Sequence, residues 1–117
     1  MNGIYRIFSL CMFIILFILL PKNSFGQIEI AYFNAEWNKA NGVGWAQDLK
    51  EVKTISYVDA AKQTSLAAKH KIAVIPTIII FKDKEEVARF QADLSFKMVA
   101  TRKEVQEEID NILMSDF

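Results

Sequence analysis

The stretch IEIAYFNAEWNKAN, residues 28–41, is the part of the chain on which the fold turns. Its opening residues, Ile28-Glu29-Ile30-Ala31-Tyr32-Phe33, are β-branched or aromatic and carry little charge, the composition of a mostly buried strand. Ala35-Glu36-Trp37 ends that run, and an asparagine-rich loop follows. Beyond the loop, residues 45–52 have helical spacing, with Trp45, Leu49 and Val52 on one face and Gln47, Asp48, Lys50 and Glu51 on the other. Residues 54–58 read as a second strand closed by Asp59, and residues 60–71, rich in Ala, Lys and Gln, as a second helix. Two strands joined through a helix imply a parallel pair.

Residues 72–81 are strongly apolar, and Pro76 divides them. A proline cannot donate to a strand ladder, so the strand is expected to start after it and run over residues 77–81. Lys82-Asp83-Lys84-Glu85 reads as a hairpin turn, with Asp83 able to adopt a left-handed conformation, and residues 86–91 as the returning strand. Thr101-Arg102-Lys103-Glu104 is a capping box, after which Val105, Ile109, Ile112 and Leu113 repeat at helical spacing. The order β-α-β-α-β-β-α predicts an α/β fold, a mixed four-stranded sheet flanked by helices.

The 117 residues provide for one small domain. Residues 1–26 read as a cleaved signal peptide. Arg6 precedes an unbroken apolar run from Cys11 to Leu20, Pro21 breaks it, and Ser24 and Gly26 lie where a signal peptidase requires small residues. The competing reading is a retained anchor, for which about 20 apolar residues are needed to cross the hydrocarbon core. Cleavage before Gln27 leaves residues 27–117 as the folded domain, exported to a periplasm or secreted, with no stable membrane span. It removes Arg6, Lys22 and the one cysteine, Cys11, and turns a neutral chain into one of net charge about −2. That balance offers no basic face for nucleic acid. No cofactor and no metal site are expected, because His70 stands alone between two lysines and Gly42-Val43-Gly44 lacks the rest of a phosphate-binding loop.

Three local matches, in this order, resemble the thioredoxin family: Ala35-Glu36-Trp37, similar to the lead into its Cys-Gly-Pro-Cys motif; Lys71-Ile72-Ala73-Val74-Ile75-Pro76-Thr77, similar to its segment bearing a cis-proline; and Ile80-Phe81-Lys82-Asp83 before a hairpin and a final amphipathic helix. The resemblance implies a thioredoxin-like fold over residues 27–117, without the N-terminal strand and helix of a full-length member. It implies cysteines at positions 38 and 41, where this chain has Asn38 and Asn41, a buried acid at Tyr32, and a groove glycine at Ala92. An amide has no thiolate form and cannot attack a disulfide. The catalytic site is therefore read as none.

What the resemblance leaves is a binding groove for an extended peptide or a partner protein, formed by Trp37, Asn38, Lys39, Asn41, Ile75, Pro76 and Thr77, with Lys39 expected to project into it. Plainer readings stand beside each residue. Asn38 and Asn41 serve equally well as helix caps, Trp37 as a ring packed on its loop, and Pro76 as a structural element. The alternatives to a binding module are a thiol-disulfide oxidoreductase, disfavoured without a mature cysteine, and a structural subunit using another surface, such as Phe96-Lys97-Met98-Val99 or the last helix. His70 is expected at an exposed helix end, Glu104, Glu107, Glu108 and Asp110 on a solvated helix face, and Trp45, Phe90 and Ile78 to Ile80 in the core. Arg102 and Lys103 in the first turn of that helix run against the dipole preference.

Overall fold

The computed structural model describes residues 27–115. The signal peptide read in residues 1–26 lies outside the described residues. Strands β1 (Ile28–Asn34), β2 (Thr54–Asp59), β3 (Thr77–Lys82) and β4 (Glu85–Gln91) form one sheet in the order β2-β1-β3-β4. The β1–β2 pair is parallel, and β1–β3 and β3–β4 are antiparallel, so the sheet is mixed as expected. β1 is central, and its apolar residues fill both faces. Ile28, Ile30 and Tyr32 point into one core with Ile78 and Ile80, and Phe33 into a second with Val58 and Ile79.

Helix α2 (Arg102–Met114) covers the first core with Val105 and Ile109, and its capping box is complete in both directions. Glu104, Glu107 and Asp110 are exposed and Glu108 half-buried, close to the solvated face expected. Arg102 and Lys103 flank a groove of about 360 Å³ shared with Asp48, Lys50, Gln106 and Glu107. Helix α1 (Thr64–Lys69) covers part of the second core.

Two expected helices are corrected. Residues 45–52 form no α-helix: a 3-10 turn, Gly44–Asp48, ends as Leu49 turns extended at φ −65° and ψ 136°. A segment this short is a marginal helix by itself, and burial of Val43, Ala46 and Leu49 decides its shape instead. The amide of Gln106 on α2 then holds the extended backbone, accepting from the Lys50 N–H at 2.8 Å and donating to the Lys50 carbonyl at 3.0 Å. Likewise α1 takes only the middle of residues 60–71. The Asp59 carboxylate accepts the Ala61 and Lys62 N–H groups at 2.9 and 3.1 Å and holds residues 60–63 in a turn.

At its other end α1 closes with Lys71 left-handed at φ 53°. The Lys71 N–H donates to Ala68 and the Ile72 N–H to Ala67, a Schellman ending built without glycine. Arg89 reinforces it from β4, donating to the His70 and Lys71 carbonyls while Glu86 grips its guanidinium. His70 is not the exposed residue expected: its ring is half-buried between Phe33 and Phe81. The hairpin turn has both Asp83 and Lys84 at positive φ, 51° and 71°, where Asp83 alone was singled out.

Arg89 holds the Glu86 carboxyl below the ordinary carboxylate range, first through its side-chain hydrogen bond. A depressed folded pKa contributes stability that is present above the unfolded pKa and lost as pH falls through the folded one. Chemical denaturation should therefore find wild type more stable than Glu86→Gln near neutral pH. The two should converge as pH drops below about 4, the usual carboxylate pKa.

Candidate functional site

Everything distinctive about the site begins at the end of β1. Asn34 is buried there, and the chain turns at Ala35 into a 3-10 turn over Glu36–Asn41. The Asp59 carboxylate holds the start of this turn by accepting the Glu36 N–H at 3.3 Å. Neither asparagine caps a helix: the turn begins at Ala35 with no side-chain cap, and Gly42 ends it in an extended conformation. Gly42 is constrained by close approach, since a Cβ there would lie 3.0 Å from the Lys39 carbonyl oxygen and 3.5 Å from the Tyr32 hydroxyl.

Asn38 is the centre of this arrangement. It is only 4% exposed, so it is no part of an open groove surface, contrary to expectation. Its Nδ2 donates to Asn34 Oδ1 at 3.1 Å and to the Phe96 carbonyl at 3.2 Å, while its Oδ1 accepts from Asn41 Nδ2 at 3.0 Å. Asn34 Nδ2 in turn donates to the Tyr32 hydroxyl at 3.3 Å, and that oxygen also accepts the Val43 N–H at 2.7 Å. A buried amide must have its groups paired or lose the cost of desolvating them. Here the chain of four side chains, Tyr32, Asn34, Asn38 and Asn41, does the pairing within itself and with two backbone groups.

The Phe96 carbonyl reaches Asn38 because residues 92–98 fold back as a tight loop. Ala92 and Met98 form a bridge, and Asp93 accepts from the Ser95 side chain and from the Ser95 and Lys97 N–H groups. The Ser95 bond is the first cause that holds the Asp93 carboxyl below its ordinary range, followed by the two backbone bonds. Phe96 stands at φ 65° and meets Trp37 edge to face with centroids 5.2 Å apart. Phe96 therefore belongs to the same site as Trp37 and is not a separate surface.

Between these two rings and α1 lies a cleft of about 260 Å³, lined by Trp37, Ala60, Ala67, Ile72, Ala73, Val74, Ile75 and Phe96. Every lining residue is apolar. The Ile75–Pro76 bond at its floor is cis, as the resemblance implied. Pro76 and Thr77 are fully buried, and the Thr77 hydroxyl is turned inward to the Val74 carbonyl at 2.6 Å. Neither the N–H nor the C=O of Ile75 bonds to another described group, whereas the Pro76 carbonyl accepts the Ala92 N–H. Of the expected groove residues, Trp37 and Ile75 meet in the cleft. Asn38, Asn41, Pro76 and Thr77 support it from behind. Lys39 turns to solvent, where it lies 3.9 Å from Glu36. The contributions of Phe96, Ile72 and Ala67 were missed. Asp93-Leu94-Ser95 is the one local signal for the loop that brings Phe96 in, an Asx-type turn sequence.

A thiol in the positions of Asn38 or Asn41 would be activated by the end of an α-helix and its unpaired N–H groups, and here those positions lie in a 3-10 turn that breaks at Gly42. Among the described residues no group of His, Cys, Asp and Glu is placed to hold a metal, and no helix is long and apolar enough to cross a membrane.

Two variants test this account. Asn38→Ala should cost about 2 kcal/mol, because it strands the buried Asn34 amide and two part-buried partners, and should speed amide exchange over residues 93–98; unchanged exchange there would contradict the tie to Phe96. The double variant Asn38→Cys/Asn41→Cys should titrate at or above the ordinary thiol pKa of about 8.5, read from the pH profile of alkylation, and a value below about 7 would reveal an activating field that the turn does not supply.

Comparison with known proteins bears on the whole architecture. The Thioredoxin family model matches residues 32–107. Thioredoxin Y1, a chloroplast protein of Arabidopsis thaliana, is 37% identical over 59 residues, 50% of this chain and 34% of that protein, so the match spans about a third of the relative's length. Among solved structures, thioredoxin 1 of Thermosipho africanus superposes with a TM-score of 0.57 at 19% identity, covering 75% of this chain and 97% of the other. Fasciola hepatica thioredoxin does so with 0.54 at 24% identity, covering 79% and 86%. These structures share the fold. With the family model running from the end of β1 through the cis-proline segment into the first half of α2, the chain belongs to the thioredoxin family, as a member whose one cysteine, Cys11, leaves it without a Cys-x-x-Cys pair.

Proposed function

We propose that this protein is an exported, redox-inactive thioredoxin-like binding module that holds an extended, apolar segment of a peptide or partner protein in the Trp37–Phe96 cleft. The observation that carries the reading is the cleft itself: an all-apolar lining beside a backbone residue, Ile75, whose N–H and C=O have no partner among the described groups. A strand laid along Ile75 gains backbone hydrogen bonds, and its side chain gains an apolar pocket, which is recognition by strand addition. Trp37 is 63% exposed and carries the aromatic surface that anchors such contacts. Asn38 and Asn41 contribute indirectly by holding the Phe96 wall in place.

Thiol exchange is excluded from the reading by the amides at positions 38 and 41 and by the single cysteine, Cys11, in the part read as a signal. Export follows from residues 1–26 acting as a cleaved signal, with the product in a periplasm or outside the cell.

A photo-crosslinking residue in place of Ala73, which is exposed and lines the cleft, tests the site in the full chain expressed in its own host. Capture should be lost in Trp37→Ala and in Ala67→Trp, which fills the pocket, while both variants retain the wild-type circular dichroism. Capture that survives both changes overturns the cleft as the site. Reduction of insulin disulfides above background overturns the redox-inactive reading, and a product whose amino terminus is not Gln27 overturns the export step as drawn.

A further inference from the structure

Two separate constraints in the turn after β1 set a glycine behind an asparagine. Position 42 has no room for a side chain at rest, since a Cβ there lies 3.0 Å from the Lys39 carbonyl oxygen. Position 41 supplies the donor that Asn38 Oδ1 accepts, the Asn41 amide at 3.0 Å. Together they give Asn41-Gly42, the one asparagine among the described residues with a glycine after it. Asn34 precedes Ala35, Asn38 precedes Lys39 and Asn111 precedes Ile112.

Asparagine is thermolabile, and the residue behind it sets how fast it reacts. The backbone nitrogen of that residue loses its proton and attacks the side-chain Cγ. The bond from Cγ to Nδ2 breaks, ammonia leaves, and a cyclic imide closes. Water then opens the ring at either carbonyl, giving aspartate or isoaspartate, so the net change is water consumed and ammonia released. A side chain on the attacking residue hinders this closure, and Gly42 carries none. Asn41 is half-buried and Gly42 exposed, so water reaches the pair, whereas Asn34 and Asn38 are buried.

Two hydrogen bonds restrain the attack: the Gly42 N–H donates to the Lys39 carbonyl at 3.0 Å, and the Asn41 amide is tied to Asn38. Both belong to the one 3-10 turn over Glu36–Asn41, already non-helical at Asn38. A local opening of that turn frees both groups and leaves the sheet folded.

We propose that Asn41-Gly42 is a site of spontaneous deamidation, and that its conversion releases the Phe96 wall of the cleft. A carboxylate only accepts hydrogen bonds, and at position 41 it faces Asn38 Oδ1, itself an acceptor. Asn38 cannot turn its amide over to meet the new group. Its Nδ2 serves Asn34 Oδ1 and the Phe96 carbonyl, and the exchange would set oxygen against oxygen at both. Asn34 is fixed in β1 by its pairing with β2, while Phe96 stands in a loop outside the sheet, so the tie to Phe96 is the one that yields. Isoaspartate also adds a methylene to the backbone before Gly42, which moves its N–H from the Lys39 carbonyl. The change runs one way, and it rests on the Asn38 ties alone, whatever the cleft binds.

The test holds the full chain in mildly alkaline buffer and digests it beside an unaged sample. The tryptic peptide of residues 40–50 should show amide-to-acid conversion at Asn41, ahead of Asn34, Asn38 and Asn111. Asn41→Gln, whose longer side chain closes the imide far more slowly, should show none. In Asn41→Asp, amide exchange over residues 93–98 should be roughly fivefold faster than in wild type, the factor that one lost hydrogen bond brings, with exchange over residues 105–112 of α2 unchanged. If Asn41→Asp does not fold, the converted fraction of aged wild type, separated by its added negative charge, supplies the same comparison. Conversion at Asn41 no faster than at Asn111 overturns the site. Exchange over residues 93–98 equal to wild type, or an acceleration shared equally by α2, overturns the release of Phe96.

Discussion

The arrangement around the Trp37–Phe96 cleft depends on one buried amide. Asn38 joins the end of β1 through Asn34, the following turn through Asn41, and the 92–98 loop through the Phe96 carbonyl. The 92–98 loop is far in sequence from the other two segments, and the Trp37–Phe96 contact follows from its being held against them. Because each polar atom of Asn38 has a partner, the amide is buried without the penalty of an unpaired group. A thiol at this position would make no comparable set of hydrogen bonds, so the amide serves here as a structural knot.

The same constraint separates contact from chemistry. The turn over Glu36–Asn41 is 3-10 in character, the chain straightens at Gly42, and Val43 is tied to the Tyr32 hydroxyl. An α-helix starting at this point would present aligned N–H groups and a positive end to whatever sat at positions 38 and 41. The short turns present neither. The apolar cleft lies beside them, its floor on the cis-proline segment and a wall from Ala67 of α1 and Ile72.

Much of the fold was legible in the residues. The central strand announced itself by its β-branched and aromatic run, the last helix by Thr101 and Glu104, and the hairpin by Lys82-Asp83-Lys84-Glu85. What was misread has separate physical causes. Residues 45–52 have helical spacing but too little length to hold a helix against the pull of the core on Val43, Ala46 and Leu49. Residues 60–63 have helix-forming composition, yet the Asp59 carboxylate competes for their N–H groups. In the site, Lys39 was expected inward and lies outward, and Phe96 was assigned to another surface, because side-chain direction in a short turn is set by neighbours that are remote in sequence.

The sequence by itself determined that this chain builds a mixed four-stranded sheet, which follows from local composition and element order acting over a few residues; the cis-proline segment was implied by the family resemblance, not by composition. Only the tertiary structure decided that Asn38 is buried, that Phe96 closes over Trp37, and that β2 pairs with β1 alone among the described residues. Each of these depends on hydrogen bonds or packing between residues twenty or more apart, and such contacts form only when the sheet has already brought its connecting loops together.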